Sequence, residues 1–345
     1  MKPRILLTAD PMIPVPPTLY GGIERIVDGL LGALRTAGHE VCLLAHPDST
    51  AQAEARFAWA VAEPRSIGDH LRNTLALDRA VRRFRPQLVH SFSRLAYLGR
   101  WLARDLPKLM SYQRLPTART VAAARRLAGD SLQFTGCSEF ITGVGAQAGG
   151  RWSVVHNFVD CARFDFQPHV ADGAPLVFLS RLERIKGAHT AIEIARSVGR
   201  RLVIAGNRVD SAEGRAYFSE RIAPLLDDDR VRFVGAVNDV QKNTLLGSAA
   251  AMLLPLEWDE PFGIVIAEAL ACGTPVIAFR RGAAAEIIRD GVDGFVVDDI
   301  AAAIGSVAAL PALRRADCRA RVESCFDLGI VQRRYEEIYQ HMVHR

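Results

Sequence analysis

Apolar residues in this chain fall into two alternating rhythms. Runs such as "RILLTA" (4–9) and "EVCLLA" (40–45) are almost continuously apolar, as strands covered on both faces are. Between them Ile23, Ile26, Val27, Leu30, Leu31 and Leu34 repeat at three- and four-residue spacing, which predicts one buried helix face ended by Gly38. A loop with Pro11, Pro14, Pro16 and Pro17 separates the first strand from that helix. Strand, helix, strand in this order is a βαβ unit and demands parallel strands. "LVHSF" (88–92), "KLMSYQ" (108–113), "SLQFTGCS" (131–138) and "WSVVHNFVD" (152–160) hold further strands, and a polar stretch follows to Asp172.

Beyond it the rhythm restarts. "PLVFLSRL" (175–182), "RLVIAGN" (201–207), "VRFVGAV" (231–237), "AAMLLP" (250–255) and "TPVIAF" (274–279) read as strands. "GAHTAIEIARSVG" (187–199) and "DVQKNTLLGSAA" (239–250) read as helices, and "FDLGIVQRRYEEIYQHMV" (326–343) as a closing amphipathic one. The expectation is an α/β protein of two doubly wound domains, 1–165 and 166–325, with a cleft between them. The length of 345 residues agrees, since single cores stop growing near ~250–300.

Composition narrows the class. About half the residues are apolar, yet no run of ~18 could span a bilayer. The start lacks a signal-peptide pattern, so a cytoplasmic protein is expected. The six cysteines form no C-x-x-C pair and read as reduced, buried thiols, with no metal site expected. Net charge is +5, but residues 1–165 carry 21 Lys and Arg against 14 Asp and Glu. Arginines cluster at 82–85 and 125–126. Solvated helix faces explain them simply; a basic face toward an anionic membrane or a phosphorylated acceptor is the functional alternative.

Three stretches could carry chemistry. Gly21 and Gly22 precede a helix, where a close backbone and free N–H groups suit phosphate. In "SRLERIKG" (180–187), Arg181 and Lys186 follow a strand and could hold a diphosphate. Lys186 is one of only four lysines. In "EWDEPFGIVIAEALACG" (257–273), Glu260 lies before a predicted helix start and Glu268 more than a turn inside it, among apolar neighbours. A buried carboxylate costs several kcal/mol unless paired, so Glu268 needs an arginine or a ligand hydroxyl. We favour the two hydroxyls of a ribose. Glu257 and Asp259 read as loop solvation. "GVGAQAGG" (143–150) lacks the strand and acid of a dinucleotide fingerprint, and the aspartates at 227–229 suit an ordinary turn.

Glu260-Pro261-Phe262-Gly263, Glu268 eight positions on, and "EALACGTPVIA" together resemble the signature of retaining glycosyltransferases of family 4. "YGGIERIV", "HNFVD", "SRLERIKG" and "EIIRDGVDGFVV" (286–297) match in order. The resemblance implies the GT-B fold, two Rossmann-like domains facing across a cleft, with the helix of 326–345 crossing back to the first. It implies a nucleotide diphosphate sugar (UDP- or GDP-sugar) as donor and an acceptor hydroxyl on a glycan, a lipid-linked or a small molecule, in bacterial glycan, cell-envelope or glycolipid biosynthesis. Arg181 and Lys186 would neutralise the diphosphate, Glu268 bind the ribose and Glu260 the sugar. Backbone groups at Gly263, Ile264 and Val265 would hold sugar and phosphate, and Gly21 and Gly22 approach the donor from the first domain. Gln113 stands where many relatives carry a histidine near the sugar. No metal or other cofactor is expected, and no nucleic-acid partner; peripheral contact with the inner face of an anionic membrane stays the alternative reading of the basic first half. A sugar-nucleotide epimerase of the same fold and a non-catalytic binding subunit are the alternatives.

Overall fold

The computed structural model describes residues 2–18, 21–227 and 229–344. Tyr20 of the first motif and Asp228 of the aspartate triplet lie outside them. The chain divides into two compact units, one of Met1–Phe158 with Leu328–Arg345, the other of Val159–Asp327. The sequence placed the boundaries at 165/166 and 325/326. The polar stretch after 160 belongs to the second unit because that unit ties it down. Gln167 N donates to Cys272 O at 3.0 Å, and the Arg319 guanidinium donates to the carbonyls of Cys161 (3.1 Å) and Phe164 (2.9 Å).

In the first unit the strands are β1 (Arg4–Thr8), β2 (Glu40–Ala45), β3 (Ala55–Ala58), β4 (Leu88–Ser91), β5 (Lys108–Tyr112), β6 (Leu132–Gly136) and β7 (Trp152–Val154). They form one parallel sheet in the order β3-β2-β1-β4-β5-β6-β7. Its helices are α1 (Gly22–Thr36), α2 (Ile67–Phe84), α3 (Ala118–Ala128) and α4 (Glu139–Ala146). The second unit holds β8 (Leu176–Leu179), β9 (Leu202–Ala205), β10 (Val231–Phe233), β11 (Ala251–Leu254), β12 (Val276–Phe279) and β13 (Gly294–Val297), ordered β10-β9-β8-β11-β12-β13. Its helices are α5 (Ala188–Ser197), α6 (Ala212–Tyr217), α7 (Asp239–Gly247), α8 (Ile264–Ala271), α9 (Ala284–Ile287), α10 (Ile300–Ala309) and α11 (Arg315–Cys325). The last helix, α12 (Leu328–Val343), belongs to the first unit and packs on α1.

Each sheet starts in the middle, winds outward one way, then reverses. The order changes direction between β1 and β4 in one unit and between β8 and β11 in the other. Such switch points, at the carboxyl ends of the strands, are where open α/β sheets bind ligands.

The predicted face of α1 is buried at Ile26, Val27, Leu30, Leu31 and Leu34, but Ile23 is only half-buried and Glu24 takes the interior place. The sequence missed α2 although its start is clear: Ser66 accepts from Asp69 N at 3.1 Å and Asp69 returns the bond to Ser66 N at 3.0 Å, a capping box. The strand predicted over 152–160 stops at Val154, and the chain then leaves the sheet. Phe158 packs against α1 so closely that a Cβ on Gly29 would lie 2.8 Å from its ring.

A neutral polar network pins α12 to the first sheet. His90 is fully buried between the Tyr339 hydroxyl (2.6 Å) and Ser111 Oγ (2.7 Å), and Ser111 bonds Thr135 Oγ1 at 2.5 Å. Burial pushes the imidazole down to about 3, so it stays neutral. Lys108 is equally buried and donates to the carbonyls of Trp101 (2.9 Å) and Arg104 (2.6 Å) and to Ser131 Oγ (2.7 Å).

Candidate functional site

The switch point of the second unit is built from the loops after β8 and β11. Gly187, at φ 79°, lets them meet: a Cβ there would lie 2.0 Å from Pro255 O. Glu257 N donates to Ile185 O at 2.9 Å and closes the junction. This brings Lys186 and Glu260 together, with Nζ to Oε2 at 2.6 Å and side chains 10 % and 16 % exposed. Trp258 completes the group. Its Nε1 donates to the same Glu260 oxygen at 3.1 Å, and the lysine ammonium sits 4.2 Å from its ring centre.

Glu260 is held from behind as well. Ala283 N donates to its carbonyl at 2.9 Å, and Gly282 leaves room for that approach, since a Cβ there would lie 2.2 Å from Glu260 O. Pro261 and Phe262 turn inward, Phe262 edge-on to Phe326 at 5.7 Å. Gly263, at φ 82°, then opens α8. Ile264 and Val265 are half-buried, whereas the helix is buried from Ile266 onward, where Ile266 N donates back to Gly263 O at 2.8 Å, so the helix start faces outward with its positive dipole end.

Glu268 is buried, as its apolar surroundings predicted, and its partner within the protein is Lys242 of α7, whose Nζ bonds Oε1. Lys242 also lies 3.6 Å from Asp239 and 5.6 Å from the Phe164 ring centre. Sequence reasoning looked for an arginine or a ribose here and missed this lysine. Its scarcity in an arginine-rich chain was the available signal. Arg181 is one-third exposed and pairs with Glu183 at 2.7 Å.

Glu257 and Asp259 are not simple loop solvation. Glu257 lies 3.1 Å from His189 Nε2 and 3.5 Å from Arg184, and Asp259 Oδ1 accepts from Gly282 N at 3.1 Å. Both brace the loop that carries Glu260.

In the first unit, Gly21 takes φ 148°, and a Cβ would lie 2.6 Å from Pro17 and 2.9 Å from Glu24 Oε2. Packing alone therefore requires glycine there, while Gly22 opens α1. Gln113, just past β5, accepts from Asn157 Nδ2 at 2.7 Å. Gln113 Nε2 and Asn157 Oδ1 are buried without a partner, one donor and one acceptor. The sequence passed over a charged group at this unit's switch point. Asp10, 6 % exposed, lies beyond β1; Arg94 follows β4, Arg114 follows β5, and Glu24 stands in the first turn of α1. Burial pushes the Glu24 carboxyl up to about 7, with the Asp10 charge adding and Arg114 opposing.

Two doubly wound parallel sheets, each with charged groups at its switch point, fit the class of GT-B glycosyltransferases. A profile of "Glycosyltransferase Family 4" matches residues 20–163 and one of "Glycosyl transferases group 1" residues 163–314. The chain belongs to this glycosyltransferase family. It is 28 % identical to a glycogen synthase of Mycobacterium tuberculosis, covering 94 % of this chain and 92 % of that one. The crystal structure of AviGT4, a glycosyltransferase involved in avilamycin A biosynthesis, superposes with a TM-score of 0.74 at 25 % identity, over 99 % of this chain and 98 % of the other. Anabaena HepE, crystallised with UDP and glucose, shares the fold at 20 % identity, with a TM-score of 0.75 over 98 % and 99 % of the two chains. No helix among the described residues is long and apolar enough to cross a membrane.

Proposed function

We propose that this glycosyltransferase moves a sugar from a nucleoside diphosphate sugar to an acceptor hydroxyl with retention at the anomeric carbon, in glycan or glycolipid assembly. The observation that carries the reading is the Lys186–Glu260 pair at the switch point of the second unit, beside the open first turn of α8. An ammonium and the positive end of a helix on the same loop suit an anionic leaving group.

Donor binding redistributes the two ion pairs. The diphosphate takes Lys186, with Arg181 and the N–H groups of Ile264 and Val265 around it. Glu260, released from part of its pairing, accepts from sugar hydroxyls. Glu268 accepts from the ribose hydroxyls while Lys242 keeps its charge compensated. Gln113 keeps an unpartnered amide N–H on the first unit, which donates to a hydroxyl of whatever ligand that unit holds.

As the glycosidic bond to phosphate breaks, negative charge grows on the leaving oxygen. Contacts that tighten with that charge lower the barrier, because only differential binding accelerates the step. Each charge-assisted hydrogen bond is worth ~1.5–3 kcal/mol. The acceptor oxygen attacks on the face the leaving group departs from, and a phosphate oxygen takes its proton. Fixed cations carry the neutralisation, so turnover is expected to persist in chelator.

The test is donor turnover in Lys186→Ala and Glu268→Ala, with UDP-glucose and GDP-mannose as first donors. Full turnover in both sinks the assignment. The anomeric configuration of the product, read by proton NMR, decides between retention and inversion. Sugar inversion without transfer would mark an epimerase instead.

A further inference from the structure

The switch point of the first unit carries its own charged group, which the donor site of the second unit does not use. Asp10 Oδ1 accepts from Met12 N at 3.3 Å. Its other oxygen faces two guanidiniums, Arg94 Nε at 3.6 Å and Arg114 Nη2 at 3.4 Å. Arg94 Nη1 lies 3.5 Å from His70 Nε2, and its Nη2 lies 3.8 Å from Met12 Sδ. Beneath them Thr8, Ser91 and Ser93 share a buried hydroxyl cluster at 2.9–3.0 Å, which fixes the ends of β1 and β4.

This arrangement has a surplus of cation. Two guanidiniums bring ten N–H donors, and one carboxylate oxygen at long range satisfies few of them. The arginines are 31 % and 61 % exposed, while the aspartate that draws them together is buried. Glu24, the other acid of this group among the described residues, has its carboxyl pushed up to about 7 by burial, so its charge is full only above that pH. Two like charges gathered over one buried anion leave a place for a second anion between them, and planar forks suit phosphate.

We propose that Arg94 and Arg114, drawn together by Asp10, form an acceptor-side site for a phosphate monoester. This rests on the transferase reading and names its acceptor class: a hydroxyl compound that also carries phosphate. The phosphate anchors the acceptor at the switch point of the first sheet, and its hydroxyl is the group glycosylated.

The experiment is calorimetric titration of glycerol 3-phosphate, with UDP titrated separately, into wild type, R94Q, R114Q, R94Q/R114Q, R114K and K186A. Phosphate-ester binding should survive in K186A, weaken about tenfold in each glutamine variant and more in the double, and recover partly in R114K. Unchanged binding in the double variant overturns the proposal. So does loss confined to K186A, which would place the phosphate in the donor site. Co-sedimentation with phosphatidic acid and phosphatidylcholine vesicles separates the sources. Arginine-dependent binding to phosphatidic acid alone assigns a lipid-borne phosphate, binding of the soluble ester a free one, and binding of neither overturns the site. UDP binding without phosphate binding defeats this inference alone. Absent UDP binding defeats the donor assignment and leaves the phosphate arm readable.

Discussion

Both sheets place charge at their switch points, but they place it differently. In the second unit a lysine and a glutamate meet nearly out of water, one cation to one anion, against an indole face. In the first, one buried aspartate faces two arginines that reach into solvent. A closed pair is poised for exchange: a charged ligand must replace one partner with another, and binding reorganises the site. An open cluster with cation to spare is poised for addition. The contrast suits a ligand whose phosphate is the leaving group at one sheet and a ligand whose phosphate is only an anchor at the other.

The largest expected effect is Lys186→Ala. Breaking a nearly buried pair leaves Glu260 uncompensated, which costs ~3–5 kcal/mol in such sites. We expect transfer, measured as kcat/KM for donor, to fall about 100-fold or more. Arg114→Gln, at an exposed position, should instead raise the acceptor KM with kcat nearly kept. Equal losses in the two variants would erase the contrast.

Next comes the second ion pair of the second unit. Glu268→Gln and Lys242→Met should each weaken UDP binding by about tenfold, and the double variant should lose less than the sum. Additive losses would mean that the two side chains act apart.

Gly282→Ala probes the loop without touching a charge. The new Cβ would fall 2.2 Å from the Glu260 carbonyl, so the loop must shift. Transfer should drop several-fold, with the thermal midpoint lowered by only a few degrees. Unchanged kinetics would show that the placement of Glu260 has slack.

The effect with least bearing on transfer is in pH dependence, and it falls on the first unit. Neutral His90 titrates in the unfolded chain near its ordinary 6.5 but only near 3 in the fold, so it withdraws stability as pH drops below 6.5. Glu24 works oppositely. Its carboxyl rises from 4.5 to about 7 on folding, so stability is lost as pH climbs through that window. Glu24→Gln should therefore flatten the loss between pH 4.5 and 7 in urea titrations. An unchanged profile would show that Glu24 is ionised in the fold.

Much of this was legible before any coordinates. Buried parallel strands write themselves as apolar runs, so β1, β2 and β11 were found to within a residue at each end, while β8, read over 175–182, ends at Leu179. Glu268 stood out because an acid among apolar residues needs a reason. What stayed hidden were partners distant in sequence. Nothing local links Lys242 to Glu268, 26 positions on, or Asp10 to Arg114, 104 away. Only the sheet order brings them together. Edge strand β3 was missed because alternating exposure leaves no apolar run, and α2 because its charged residues masked the capping box.

The chain leaves the first unit at Phe158 and returns at Leu328, with Tyr335 and Tyr339 of α12 sealed in that unit's interior. Synthesis therefore delivers the halves out of step. The second unit is one uninterrupted segment and can close as it emerges. The first must wait, its His90 without the Tyr339 hydroxyl, while 169 residues pass, about 10–35 s at ordinary translation rates. During that interval the exposed groove for α12 is the nascent protein's vulnerable surface, and a chaperone would find its target there.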